Sequence, residues 1–374
     1  MSHPSSPPAC TPAVALSSSV TWAEPARHAA FVAWLTPLVD LHQLLPDTLR
    51  PASADASFRR YLRLDTATGS SCIVMDAPPD KENCQPFVQV QALMQQAGLS
   101  VPNILAWEQS HGFMLLSDLG QHTVIEKLHP EHPQDAYAWY QQATDTLLQW
   151  QLASRPGVLP AYDEAVLRRE LALFPDWYVA QHRALTLDDK QQALLTQTFD
   201  CIVAENLSVP SVFVHRDFMM RNLMAPTTAG GPLGVLDFQD ALYGPITYDI
   251  ASLLRDAFIS WEEDFILDIT VRYWEKARKA GLLGAQSASG WGADFGEFYR
   301  SVEWMGLQRH LKVAGIFARL TLRDGKPKYL ADAPRFIHYI RSTTQRYREL
   351  LPFSRLIDQI EGTQAPVGYA FGRV

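Results

Sequence analysis

Cysteine is scarce in this chain: four among 374 residues, at Cys10, Cys72, Cys84 and Cys201. They are widely spread and form no C-x-x-C pair, which excludes a disulfide framework and leads us to expect a reduced, cytoplasmic protein. A basic excess is also missing. The formal net charge of -8 gives no basic face for nucleic acid, so no nucleic-acid partner is expected. Long hydrophobic runs are missing too. The best one, "HAAFVAWLTPLV", is interrupted by Pro37 and falls short of the ~20 apolar residues a bilayer requires, so no membrane association is expected. The opening "MSHPSSPPACTPAVALSSSV" lacks the basic and apolar regions of a secretory signal. What remains is ordinary globular composition, 47% hydrophobic and 19% charged, on a chain long enough for two lobes.

Residues 1–24, rich in Ser, Pro and Ala, read as a mobile arm. Residues 25–38 place Ala29, Phe31, Val32 and Leu35 on one helical face. "SFRRYLRL" and "SSCIVMDA", joined by the turn signal "TATGS", read as a β-hairpin. A helix over 86–97 follows, then two short strands in "ILAWEQ" and "GFMLLSD". Strand, strand, helix, strand, strand describes a small antiparallel N-lobe over 25–119. Residues 120–374 form a larger helical C-lobe, with helices near 134–153, 162–182 and 188–206. Two short strands, "VFVHRDF" and "LGVLDFQD", interrupt it on either side of the turn "TTAGGP". Helices resume at Tyr248. The fold class expected is α+β and bilobal.

The chemistry concentrates at that interruption. Phosphoryl transfer requires a carboxylate at the incoming hydroxyl and oxygen ligands for magnesium on the phosphates. "VHRDFMMRNLM" supplies H-x-D-x-x-x-x-N: Asp217 would accept the hydroxyl proton, and the Asn222 side-chain oxygen would bind Mg²⁺. The strand "GVLDF" ends in Asp237, a second Mg²⁺ ligand. Alone, Asp217 reads more readily as a strand-terminal residue capping a turn; Asn222 at this spacing and Asp237 after a second apolar strand turn the reading to catalysis. His215 is assigned to holding the loop by hydrogen bonds.

"VHRDFMMRNLM" followed by "GVLDFQDALYGPITYDIASLL" resembles the aminoglycoside phosphotransferase and choline kinase family, which has a protein-kinase-like fold. The resemblance implies that Asp249, after the Gly244-Pro245 turn, caps its helix and braces the catalytic loop. "SADASFRRYLRL", "IVMDAPPDKENCQPFV", "GFMLLSDLG" and "WMGLQRHLKVAGIFARLTLRDGKPKYL" are similar to the bacterial anomeric kinases that phosphorylate N-acetylmuramate and N-acetylglucosamine in cell-wall recycling. That narrower likeness implies ATP as donor, an amino-sugar C1 hydroxyl as acceptor and a sugar 1-phosphate as product.

The chain departs from the kinase pattern twice. The loop "ASADASF" has no glycine, so Ser57, Phe58 and Arg59 are expected to meet phosphate through backbone or side chain. The strand "CIVMDAP" has no lysine, and Arg60, on the same side of its strand as Leu62 and Leu64, is expected to replace it. By position, the Ser117 carbonyl and Leu119 N–H would bond adenine. Arg255, Trp304, Gln308 and Arg309 are candidates to hold the sugar, an arginine suiting the lactyl carboxylate of N-acetylmuramate. Two other readings stand beside this one: a kinase for an aminoglycoside, choline or homoserine, and a nucleotide-binding pseudokinase.

Overall fold

The first helix owes its start to Pro25, whose missing N–H costs nothing in the first turn. This computed structural model describes residues 19–53, 58–284 and 290–363. Of the expected arm, residues 1–18 lie outside the described residues. Its remainder is ordered: Ser19 Oγ donates to the Leu49 carbonyl at 2.6 Å, and the Trp22 ring lies 4.8 Å from Phe31.

The chain forms two units. Unit one comprises residues up to Gln96, Ser100–Gln121 and Pro226–Gln239. In it, α1 (Pro25–His42) is followed by β1 (Leu44–Ser53), β2 (Arg60–Thr66), β3 (Ser71–Asp76), α2 (Gln85–Gln96), β4 (Ile104–Glu108) and β5 (Phe113–Ser117). The strands make one antiparallel sheet in the order β1-β2-β3-β5-β4. Strand β1, which contains Pro46 and Pro51, was not expected. It lies at the sheet edge and is interrupted by bulges between Leu45 and Arg50 and between Pro51 and Ser53, the places where a strand tolerates proline. Leu62, Leu64, Cys72, Val74, Phe113 and Leu115 alternate onto one face and pack against Phe31 and Leu35 of α1. The segment 226–239 contributes a short strand, Gly234–Val235, where the Val235 N–H donates to the Ser100 carbonyl at 2.8 Å.

Unit two comprises Ala97–Leu99, His122–Ala225 and the chain from Asp240 onward. Its helices are α3 (Pro133–Leu152), α4 (Glu164–Leu173), α5 (Asp189–Ser208), α6 (Thr247–Leu254), α7 (Glu263–Lys279), α8 (Phe295–Leu322), α9 (Ala333–Arg346) and α10 (Leu351–Glu361). The expected 162–182 helix is α4 continued by a π-helical stretch, Phe174–His182. Helix α8 is central. It is buried on all sides from Glu303 to Lys312, and Gly315 admits α4, since a Cβ there would lie 2.3 Å from the Leu173 carbonyl oxygen.

The strand β6 (Ser211–Val214) pairs antiparallel with β7 (Leu242–Pro245), Val214 opposite Leu242. Sequence reading had set it beside "GVLDF"; that strand is only two residues long, and β6 takes its partner from beyond it. Gly244 in β7 is required by packing, because a Cβ would come within 2.4 Å of the Tyr162 side chain. No helix among the described residues is long and apolar enough to cross a membrane.

Candidate active site

The candidate residues divide between the units: Asp217, Asn222 and Asp249 in unit two, Asp237 and the nucleotide candidates in unit one. In unit two, β6 ends at Val214 and the chain turns at once. Arg216 adopts φ 77°, a left-handed conformation that a residue with a Cβ avoids. Asp249 of α6, fully buried, takes both backbone donors of the turn: the His215 N–H at 2.7 Å and the Arg216 N–H at 3.0 Å. It does not cap α6, whose N-cap position is Ile246. Burial pushes its carboxyl up to about 6, against the opposing pull of His215, these bonds and Arg309.

His215 is buried and structural. Its Nδ1 accepts the Asp217 N–H at 3.3 Å, and its ring meets Phe218 edge-on. Asn222 Nδ2 donates to the Asp217 carbonyl at 2.8 Å. The amide nitrogen is thereby committed to the loop, and the side-chain oxygen is the atom suited to magnesium. In unit one, Asp237 also adopts a left-handed φ, 62°, and its Oδ1 accepts from Gln239 Nε2 at 2.8 Å. Carboxylate and amide oxygens are the hard donors magnesium takes alongside phosphate, and each of these two side chains is chemically suited to the ion.

A charged network surrounds Arg216, and sequence reading missed most of it. Arg216 Nη2 donates to Glu170 Oε1 of α4 at 2.7 Å. Lys312 of α8 pairs with the same carboxylate at 3.0 Å and donates to the Tyr248 hydroxyl at 3.0 Å. The Tyr162 hydroxyl also donates to Glu170. Burial raises the Glu170 carboxyl, but Lys312 and Arg216 outweigh it and hold it below its ordinary value. One signal was available: Lys312 follows Arg309 by three residues and shares its helix face.

The sugar candidates fare unequally. Arg309 lies over the Tyr248 ring at 5.3 Å; burial pulls its guanidinium down, yet Tyr248, Asp217 and Asp256 outweigh that and raise it. The other three hold partners within the protein. Arg255 is spent on Glu263, with bonds of 3.0 and 2.9 Å, and on Tyr299 at 3.2 Å. Trp304 is buried beside Tyr347 with Arg300 stacked on it at 4.5 Å. Gln308 is buried, its Nε2 donating to the Leu167 carbonyl at 3.0 Å.

Among the nucleotide candidates, Ser57 lies outside the described residues. Phe58 is exposed, with the Lys81 ammonium 5.5 Å from its ring. Arg59 pairs with Glu82 at 3.1 Å. Arg60 is a correction. Its alternation with Leu62 and Leu64 is real, but α1 covers that face. There Arg60 Nε donates to Asp76 at 2.9 Å, Nη1 donates to the Thr21 carbonyl at 2.9 Å, and the guanidinium lies 4.4 Å from the Trp22 ring. Ser117 exchanges bonds with Asn103 through its N–H (2.9 Å) and its hydroxyl (2.8 Å), neither of which is the carbonyl assigned to adenine. Next to it, Asp118 holds Arg63 at 2.6 Å and the Gly120 N–H at 2.9 Å, a rigid approach to the half-buried Leu119.

A five-stranded antiparallel sheet unit and a helical unit carrying an H-x-D-x-x-x-x-N loop define a kinase-like phosphotransferase. The model of the phosphotransferase enzyme family matches residues 48–284, and the chain belongs to that family. Two relatives are named N-acetylmuramate/N-acetylglucosamine kinase. One, from Neisseria meningitidis, is 49% identical over 86% of this chain and 93% of its own length. The other, from Pseudomonas aeruginosa, is 48% identical over 86% of this chain and 91% of its own. A solved choline/ethanolamine kinase family protein from Mesorhizobium loti shares the fold at 14% identity, with a TM-score of 0.58 over 88% of this chain and 99% of that one.

Proposed function

We propose that this protein transfers the γ-phosphoryl group of ATP to the anomeric C1 hydroxyl of N-acetylmuramate and N-acetylglucosamine, releasing the sugar 1-phosphate in the cytoplasm during peptidoglycan recycling. The observation carrying the reading is the Asp217 loop, braced from below by Asp249 and closed by Asn222. Asp217 orients the C1 hydroxyl and takes its proton as the oxygen attacks phosphorus; the β–γ bridging oxygen leaves with ADP. Asn222 and Asp237 hold Mg²⁺, which neutralises phosphate charge when bound. Phe58 and Arg59 meet the phosphates, and the Ser117 carbonyl and Leu119 N–H bond adenine. Arg309 serves the acceptor. A buried cation on the helix beside the loop suits an amino sugar bearing a carboxylate better than a cationic aminoglycoside or choline.

The test is ATP consumption across a panel of amino sugars, cationic acceptors and no acceptor, with phosphorus NMR of the product. An anomeric phosphate from N-acetylmuramate is expected. A 6-phosphate, turnover only with choline or an aminoglycoside, or nucleotide binding without turnover would each replace the proposal.

A further inference from the structure

The turn between His215 and Asp217 rests on a residue poorly suited to it. Arg216 holds φ 77° although glycine is the residue that adopts such a conformation without cost. Asp217 leaves this turn directly, so the direction of its carboxylate depends on Arg216 staying left-handed. The backbone is clamped by Asp249 through two N–H bonds. The side chain is clamped separately, by Glu170 at 2.7 Å.

Glu170 is placed for more than one partner. It is 5% exposed and receives the Arg216 guanidinium, the Lys312 ammonium and the Tyr162 hydroxyl. Lys312 in turn donates to Tyr248, on the same helix as Asp249. The side-chain clamp and the backbone clamp thus close on each other through α6. One carboxylate ties α4, α8 and the catalytic turn together, and a neutral amide there would leave the buried Lys312 ammonium and the half-buried Arg216 guanidinium without their shared anion.

We propose that Glu170 is a positioning residue for phosphoryl transfer: through Arg216 it maintains the left-handed turn that aims Asp217. The inference rests on Asp217 being the base proposed above, and it adds a residue on a different helix that touches neither substrate.

The test uses the full chain with N-acetylmuramate and ATP. Glu170→Gln is expected to lower kcat by about 10²-fold, the order expected from small misplacement of a catalytic group, while KM for ATP and the Kd of a fluorescent ATP analogue stay within about twofold. A residue that only supported the fold would lower the active fraction and leave kcat per folded molecule unchanged. Arg216→Gly supplies the second arm. Glycine takes the turn without a side-chain clamp, so adding Glu170→Gln to Arg216→Gly is expected to cost less than about threefold in kcat. Should Glu170→Gln fail to fold, Glu170→Gln combined with Lys312→Met restores the charge balance and carries the same expectation. Undiminished kcat in Glu170→Gln, or an equal loss in both backgrounds, overturns the proposal. Full activity in Asp217→Asn would instead overturn the assignment of the base.

Discussion

Two buried carboxylates, one in each unit, each hold two cations in different surroundings. In unit one the Asp76 carboxylate, 1% exposed, takes Arg27 and Arg60. In unit two Glu170 takes Arg216 and Lys312. Around Asp76 the backbone is regular: Arg60 sits opposite Asp76 in the β2–β3 register, and the two guanidinium groups lie over Phe113 and Trp22 at 4.6 and 4.4 Å. That cluster closes the α1 face of a sheet. Around Glu170 one partner, Arg216, belongs to a left-handed turn next to Asp217. Charge count alone does not separate packing from function; the conformation of the backbone that a charge holds does.

The largest effect that sharpens the contrast falls on the turn itself. Asp217→Asn is expected to lower kcat by about 10³-fold or more with ATP binding intact, measured by turnover and nucleotide titration. Breaking the other cluster has the opposite profile. Asp76→Ala leaves two partly exposed guanidinium groups without their carboxylate and is expected to cost about 1–3 kcal/mol in denaturant unfolding, while KM for ATP per folded molecule is unchanged. A changed KM there would return Arg60 to the phosphates.

Acid is expected to act on the turn through Asp249. The Asp249 carboxyl, pushed up to about 6, must be ionised to accept both N–H donors fully. Activity is therefore expected to fall about tenfold per pH unit below about 6. Because the folded value lies above the ordinary 3.8, the Asp249 contribution to stability declines as pH rises from about 4 to 6 and does not decline as pH falls. The activity loss should precede unfolding by circular dichroism, and Asp249→Asn should abolish this limb. The smallest effect belongs to an exposed pair, Arg50 and Asp65, at 2.8 Å on the sheet edge. Arg50→Ala is expected to change stability by about 0–1 kcal/mol.

The same contrast explains what could be read from the sequence. The Asp217–Asn222 relation was legible because its partners are near in sequence and their bond is local. Arg60 was misread because alternation tells which side chains share a face but not that α1 covers it. For Trp304 and Gln308 the sequence gives no separation of lining from core, because a helix buried all round loses the polar stripe that would draw it. Glu170 was invisible because Arg216 lies 46 residues away and no motif announces a left-handed arginine.

The short stretch Pro226–Gln239 belongs to the sheet unit although it is threaded between two parts of the helical one. As a consequence, the sheet unit is not a single cassette of sequence. A fragment ending at Gln121 would carry all five strands of the main sheet yet lack Asp237. Any exchange of nucleotide-handling parts between relatives therefore needs two crossovers inside the helical coding region, and acquiring the first lobe alone would leave Asp237 behind.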